Sequence, residues 1–109
     1  MHRAWGAALI LFAGAMRLPA ANDVAVFNQN CALCHGRDGR AQTPQGRKLH
    51  AKDLRESRLT DAEIARQIRQ GSKTKSGISL MPAVGEKWTD AEVQAAIRVA
   101  KSFRPASTP

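Results

Sequence analysis

The sequence predicts a small all-α domain, on three observations. Thr60 and Thr89 are each followed three residues later by a glutamate, Glu63 and Glu92, the capping-box spacing that opens a helix. Apolar residues then recur at helical spacing: Ile64 and Ile68 after the first box, Val93, Ile97 and Ala100 after the second. No apolar–polar alternation of useful length occurs, and the run Ile78 to Met81 is too short to build a sheet.

The 109 residues have room for one domain, domains usually running to roughly 100–200 residues. The first stretch lies outside it. His2 and Arg3 precede an apolar run from Ala4 to Met16, Arg17 closes that run, and small residues follow at Ala20 and Ala21. The run has thirteen residues, whereas a membrane-crossing helix needs about 20, so it reads as a signal peptide rather than an anchor. The expected organisation is a signal peptide over 1–21, the domain over 22–105 and a frayed tail over 106–109. The mature protein is then exported, periplasmic or equivalent, without stable membrane insertion.

Within the domain, Asn22 or Asp23 caps a first helix over 23–34 that carries Val24, Val26 and Phe27. From Gly36 to Arg58 no apolar period is sustained, and Gly36, Gly39, Pro44 and Gly46 mark a structured loop with room for one short helical turn. The helix capped by Thr60 ends at Gly71 in the left-handed conformation, and a long loop follows from Lys73 to Met81. The last helix, capped by Thr89, is limited by Pro105. Leu59 with Ile64 and Trp88 with Val93 stand where hydrophobic staples form across each cap.

Of the 17 Lys and Arg, Arg3 and Arg17 lie in the leader, so 15 remain against 9 acidic residues, a formal charge of +6. Such a charge suits an acidic protein surface, an anionic membrane or a nucleic acid, and export argues against nucleic acid. Chains this short bury a small fraction of their surface and commonly need a staple. The two cysteines, Cys31 and Cys34, are three positions apart, and a disulfide closing so small a loop would constrain the unfolded chain little. Something else must supply the core.

Cys31, Ala32, Leu33, Cys34 and His35 form a CxxCH motif. On a helix, residues 31, 34 and 35 project from one side. Two thiols at that spacing can add to the two vinyl groups of one haem edge while the adjacent imidazole binds the iron. Structural zinc would need four ligands, and beyond His35 the mature chain offers only His50. A thioredoxin-like redox pair would come with a βαβ pattern, which is missing. Haem iron has a second axial position, and Met81 is the only methionine left after the leader, placed just before Pro82 at the end of the long loop. Filling gaps in a core is the ordinary work of methionine, but beside a haem it is a natural sixth ligand.

Taken in order, Phe27, the CxxCHG run from Cys31 to Gly36, Ile64 and Ile68 before Gly71, Met81-Pro82 and the capped final helix resemble a class I c-type cytochrome of the short, soluble, monohaem kind. The resemblance spans about Val24 to Phe103. It implies a small cytochrome c fold, three to four helices wrapped around one haem c bound through Cys31 and Cys34, with His35 proximal and Met81 distal. Phe27 would lie where the first and last helices cross, and a loop-proline carbonyl, here of Pro44, would accept the proximal imidazole N–H. Relatives often carry an aromatic residue where this chain has Val84.

The function implied is single-electron transfer between redox proteins with acidic docking faces, by a carrier rather than an enzyme, as a monomer or a subunit of a redox complex. A haem-based peroxidase or gas-binding sensor is the alternative if Met81 does not close the sixth position. His50, in a basic polar loop, reads as solvated rather than as a ligand. Arg37, Arg40, Arg47, Lys48, Lys52, Arg55, Arg58, Lys73 and Lys75 supply a basic rim, with Arg47 or Lys48 as candidate partners for a haem propionate. Trp88 reads as a staple before it reads as a haem contact.

Overall fold

The computed structural model describes residues 19–106, so the expected signal peptide and the end of the expected tail lie largely outside the described residues. Helix α1 spans Ala21–Asn30 and α2 spans Ala32–His35. The single helix expected over 23–34 is therefore two. Cys31 leaves the regular helical path at φ −116°, donating its N–H to the Phe27 carbonyl at 2.7 Å, and a fresh turn starts after it. The start also differs from expectation. Ala20 is the N-cap, and Asp23 works from the third helical position, where its carboxylate accepts the Ala20 N–H at 3.3 Å.

The segment expected as a loop contains helix α3, Pro44–Leu49, and a 3₁₀ turn, Leu54–Glu56. Thr43 caps α3, accepting the Gly46 N–H at 2.9 Å, and Pro44 takes the first helical position, where its missing N–H costs nothing. Helix α4 spans Asp61–Gln70 and α5 spans Asp90–Ser102. Both expected capping boxes are formed: Glu63 Oε1 accepts the Thr60 N–H at 3.0 Å while Thr60 Oγ1 accepts the Glu63 N–H at 3.2 Å, and Thr89 with Glu92 repeats the exchange.

A small sheet corrects the expectation of no strands. Strand β1, Ser72–Lys73, pairs antiparallel with β2, Ser79–Met81, placing Ser72 opposite Met81. Strands this short cannot show a period of two. Their pairing is set by the turn between them, where Thr74 Oγ1 accepts the Ile78 N–H at 3.0 Å and the Thr74 N–H reaches the Ile78 carbonyl at 2.8 Å.

The helices meet in two apolar clusters. Ile64, Ile68, Val93, Ala96 and Ile97 join α4 to α5, with Met81, Val84 and Trp88 packed against them. Phe27, Ala32 and Val99 join α1 and α2 to α5, with Leu54 and Phe103 at the edge. Phe27 and Ile97 are the most deeply buried large side chains. The Phe27 ring packs tilted against Phe103 with centroids 5.4 Å apart, so Phe27 does lie where α1 crosses α5. Asp23, 6 % exposed, locks the same crossing by accepting two bonds from Arg98, at 2.8 and 3.0 Å.

Candidate functional site

Cys31, Cys34 and His35, from one five-residue motif, and Met81, far downstream in the chain, line one cavity of about 680 Å³. That volume falls within the ~300–1,000 Å³ usual for ligand and cofactor sites. Phe27 and Leu54 come to its wall from one apolar cluster and Ile64, Ile68 and Val84 from the other. Trp88 does not line it; it packs on the α4–α5 cluster and under Gly85. Leu59, expected only as a staple, is on the cavity wall.

The α2 turn that carries the CxxCH motif is strapped from outside. The Thr43 hydroxyl lies within hydrogen-bond reach of the Leu33 and Cys34 carbonyls, so one side chain caps α3 and ties the end of α2. Gly46 then packs directly on the Cys34 carbonyl, where any Cβ would collide.

His35 is half-buried, and its Nδ1 lies 3.0 Å from the Lys52 carbonyl. A carbonyl only accepts, so Nδ1 carries the proton and Nε2 keeps the lone pair that binds a metal. Burial holds this imidazole below the usual histidine range, against the smaller opposing pull of the Lys52 carbonyl, and the ring is neutral at pH 7. The orienting carbonyl is thus that of Lys52 and not, as expected, that of Pro44, which is occupied in opening α3. Sequence carries no signal for a backbone carbonyl brought in by a turn.

Burial, reinforced by the neighbouring Cys34, pushes the Cys31 thiol up to about 11. A dithiol redox centre attacks as a low-pKa thiolate, and Cys31 is the opposite. Among the described residues no group of three or more His, Cys, Asp and Glu is placed to hold a metal ion, which leaves the zinc reading without its ligands. An apolar cavity with two thiols close together on its wall and one oriented, neutral imidazole fits a covalently attached haem.

Met81 ends β2, half-buried against the α4–α5 cluster. Three contacts that the sequence did not announce hold its segment. Gly71, at φ 68° and ψ −169°, ends α4 in extended backbone with positive φ rather than in the left-handed helical well expected, and a Cβ there would strike the Met81 carbonyl. The Gly85 N–H donates to the Ile68 carbonyl at 2.9 Å. Arg69 reaches the Trp88 carbonyl at 3.0 Å and Asp90 at 2.8 Å, bridging α4 to the start of α5.

Of the other expected residues, His50 is exposed at the left-handed end of α3 and borders the cavity. Arg47 and Lys48 are exposed and do not border it, which leaves them poorly placed for a propionate; Lys52, Arg58 and Arg104 are the basic residues that do. Within the basic rim, Arg40 and Arg55 are engaged by Asp38 and Asp53. No helix among the described residues is long and apolar enough to cross a membrane.

Residues 19–98 match the family model described as cytochrome c oxidase, cbb3-type, subunit III. Among solved structures, the chain is similar to the KustC0563 c-type cytochrome, with 31% identity and a TM-score of 0.61 over 76% of this chain and 98% of that one. No curated protein matches significantly.

Proposed function

Because the chain belongs to the c-type cytochrome family represented by the cbb3-type oxidase subunit III model, whose members carry covalently bound haem, we propose that it is an exported monohaem electron carrier. The observation that carries this reading is the convergence of Cys31, Cys34, His35 and Met81 on one cavity, with the His35 ring already oriented by Lys52. Bound haem supplies a one-electron couple at iron.

The residues divide the remaining work. Cys31 and Cys34 would provide the two thioether attachments, and burial, which holds the Cys31 thiol protonated, keeps it from side reactions until it is used. His35 offers Nε2 to the iron, and the bond from Nδ1 to Lys52 fixes the ring plane and strengthens the donor. Met81 would offer its thioether to the iron, a donor that favours the reduced state and raises the potential. Phe27, Leu54, Ile64, Ile68 and Val84 give the cavity an apolar lining. With His35 and Met81 both held by the protein, the chemistry a bound haem would supply here is electron exchange.

The charge of the mature chain, with Lys52 and Arg58 at the cavity edge, suits a redox partner with an acidic face. The encounter would be small and brief, below the ~1,200 Å² of stable complexes, and its rate should fall as salt screens exposed charges beyond roughly 10 Å at 0.1 M.

The visible spectrum of the purified protein, oxidised and reduced, tests the reading. Haem that stays with the denatured polypeptide, a low-spin spectrum and the sulfur-to-iron band of methionine ligation are expected. Rapid, complete binding of carbon monoxide by the reduced, unmutated protein would transfer the assignment to a gas-binding sensor or peroxidase.

A further inference from the structure

Three described arginines are half-buried, Arg55, Arg69 and Arg104. Two of them hold a carboxylate: Arg55 pairs with Asp53 at 2.7 Å and Arg69 with Asp90 at 2.8 Å. Arg104 does not. It follows α5, borders the same cavity as Cys31, Cys34, His35 and Met81, and is tied through Nη2 to the Leu59 carbonyl at 2.9 Å, with the Ser57 hydroxyl at 3.5 Å. Both bonds come from one nitrogen. Its Nε is closed to solvent and has no hydrogen-bond partner among the described residues.

A guanidinium stays charged throughout the working pH range and offers five N–H donors in a rigid fork. Leaving such a group half-buried without an anion costs free energy, both for the charge and for each unsatisfied donor. The cavity wall offers little to relieve it. Lys52 and Arg58 carry the same sign, Asp53 is committed to Arg55, and Glu56 is exposed.

The proposed ligand brings two carboxylates. Resting on the haem reading above, we infer that Arg104 is a positioning residue for the cofactor: held by the Leu59 carbonyl, its guanidinium takes one haem propionate as the anion that no described residue supplies. Arginine recognises a carboxylate through parallel N–H bonds, so the contact sets the rotation of the haem plane as well as compensating charge. It also ties the end of α5 to the cavity. The partner expected from sequence, Arg47 or Lys48, is replaced by a residue more than fifty positions further along the chain.

The test uses the haem-loaded protein. In the unmutated ferrous form, nuclear Overhauser cross-peaks are expected between the Arg104 guanidinium protons and the methylene protons of one propionate. Arg104→Met, which keeps the apolar stem, should move the propionate bending band in the resonance Raman spectrum. It should also raise the oxidised-to-reduced ratio at fixed ambient potential about tenfold, a fall of 59 mV for a one-electron couple. Arg104→Lys, which keeps the charge, should recover most of that shift. If the methionine variant does not fold, the cross-peaks in the unmutated protein decide. Covalent haem with no such cross-peaks, or a bending band unmoved in Arg104→Met, overturns the role of Arg104 alone. A polypeptide that gives no covalent haem in the alkaline pyridine spectrum overturns both this inference and the carrier reading.

Discussion

The two walls of the cavity are built in contrasting ways. On one side, Cys31, Cys34 and His35 come from five consecutive residues, and the turn they form is strapped by Thr43, Gly46 and the Lys52 carbonyl. On the other, Met81 arrives alone at the foot of a two-stranded ribbon whose Ile78 and Leu80 are 64% and 40% exposed. The first wall is local and held from several directions. The second depends on contacts among Gly71, Ile68, Arg69 and Gly85. On the haem reading proposed above, attachment of the cofactor and closure of its sixth position by Met81 are expected to be separable properties, each lost without the other.

The largest effect should come from the first wall. Cys31→Ala or Cys34→Ala should abolish or weaken haem retention after denaturation, read from the absorbance that stays with the polypeptide, and the protein without haem should unfold without a cooperative transition. A haem-free protein with a cooperative melt of similar midpoint would show that the cofactor is not the missing core.

Next is Met81→Ala. Haem should be retained, because the first wall is untouched. The potential should fall by on the order of 100 mV, well within the ~0.8 V span of axial-ligand effects, and carbon monoxide should bind the reduced form rapidly. Loss of haem in this variant would mean the walls are not independent.

Gly71→Ala probes the support behind Met81 rather than the ligand itself. Positive-φ backbone of this kind costs a non-glycine residue roughly 1–3 kcal/mol, and the added Cβ pushes on the Met81 carbonyl. A high-spin fraction should appear in the spectrum, together with faster carbon monoxide binding, while covalent haem is unchanged.

Thr43→Ala should be milder, costing about 1 kcal/mol for a lost cap, or roughly 4–8 °C in Tm for a domain of this size. The spectrum should keep its low-spin form, since α2 retains its other supports. Smaller still at neutral pH is the frame behind both walls. Hydrogen bonding to Arg98 holds the Asp23 carboxyl below its ordinary 3.8, so the unfolded chain takes up that proton first as pH falls. The stabilisation is full above 3.8 and is lost on descending through the lower folded value. Asp23→Asn should therefore be less stable than the unmutated protein at pH 7 and converge with it in acid. Unfolding curves that stay parallel through the acid range would remove the pair from the pH response.

Much of this architecture is legible in the residues alone. The capping boxes at Thr60 and Thr89 form as their spacing demands, because a cap is a local exchange between residues three apart. Phe27 stands at the α1–α5 crossing. Helix α3 is within reach too: Thr43-Pro44 is a start signal, obscured by the glycines around it. The break at Cys31 and the ribbon at 72–81 are not, since neither leaves a periodic trace.

What the sequence by itself determined is the chemistry on offer, two thiols and an imidazole at fixed spacing and one thioether far downstream, together with the caps that start the later helices. Those depend on neighbours a few residues apart, which any sequence displays. Only the tertiary structure decided that the His35 proton goes to Lys52 and not to Pro44, that Gly71 lies beneath Met81, and that Arg104 rather than Arg47 or Lys48 borders the cavity with no counter-charge among the described residues. Each of these is a meeting between backbone or side chains brought together by packing, and a backbone carbonyl is the same in every residue, so no letter of the sequence could mark it.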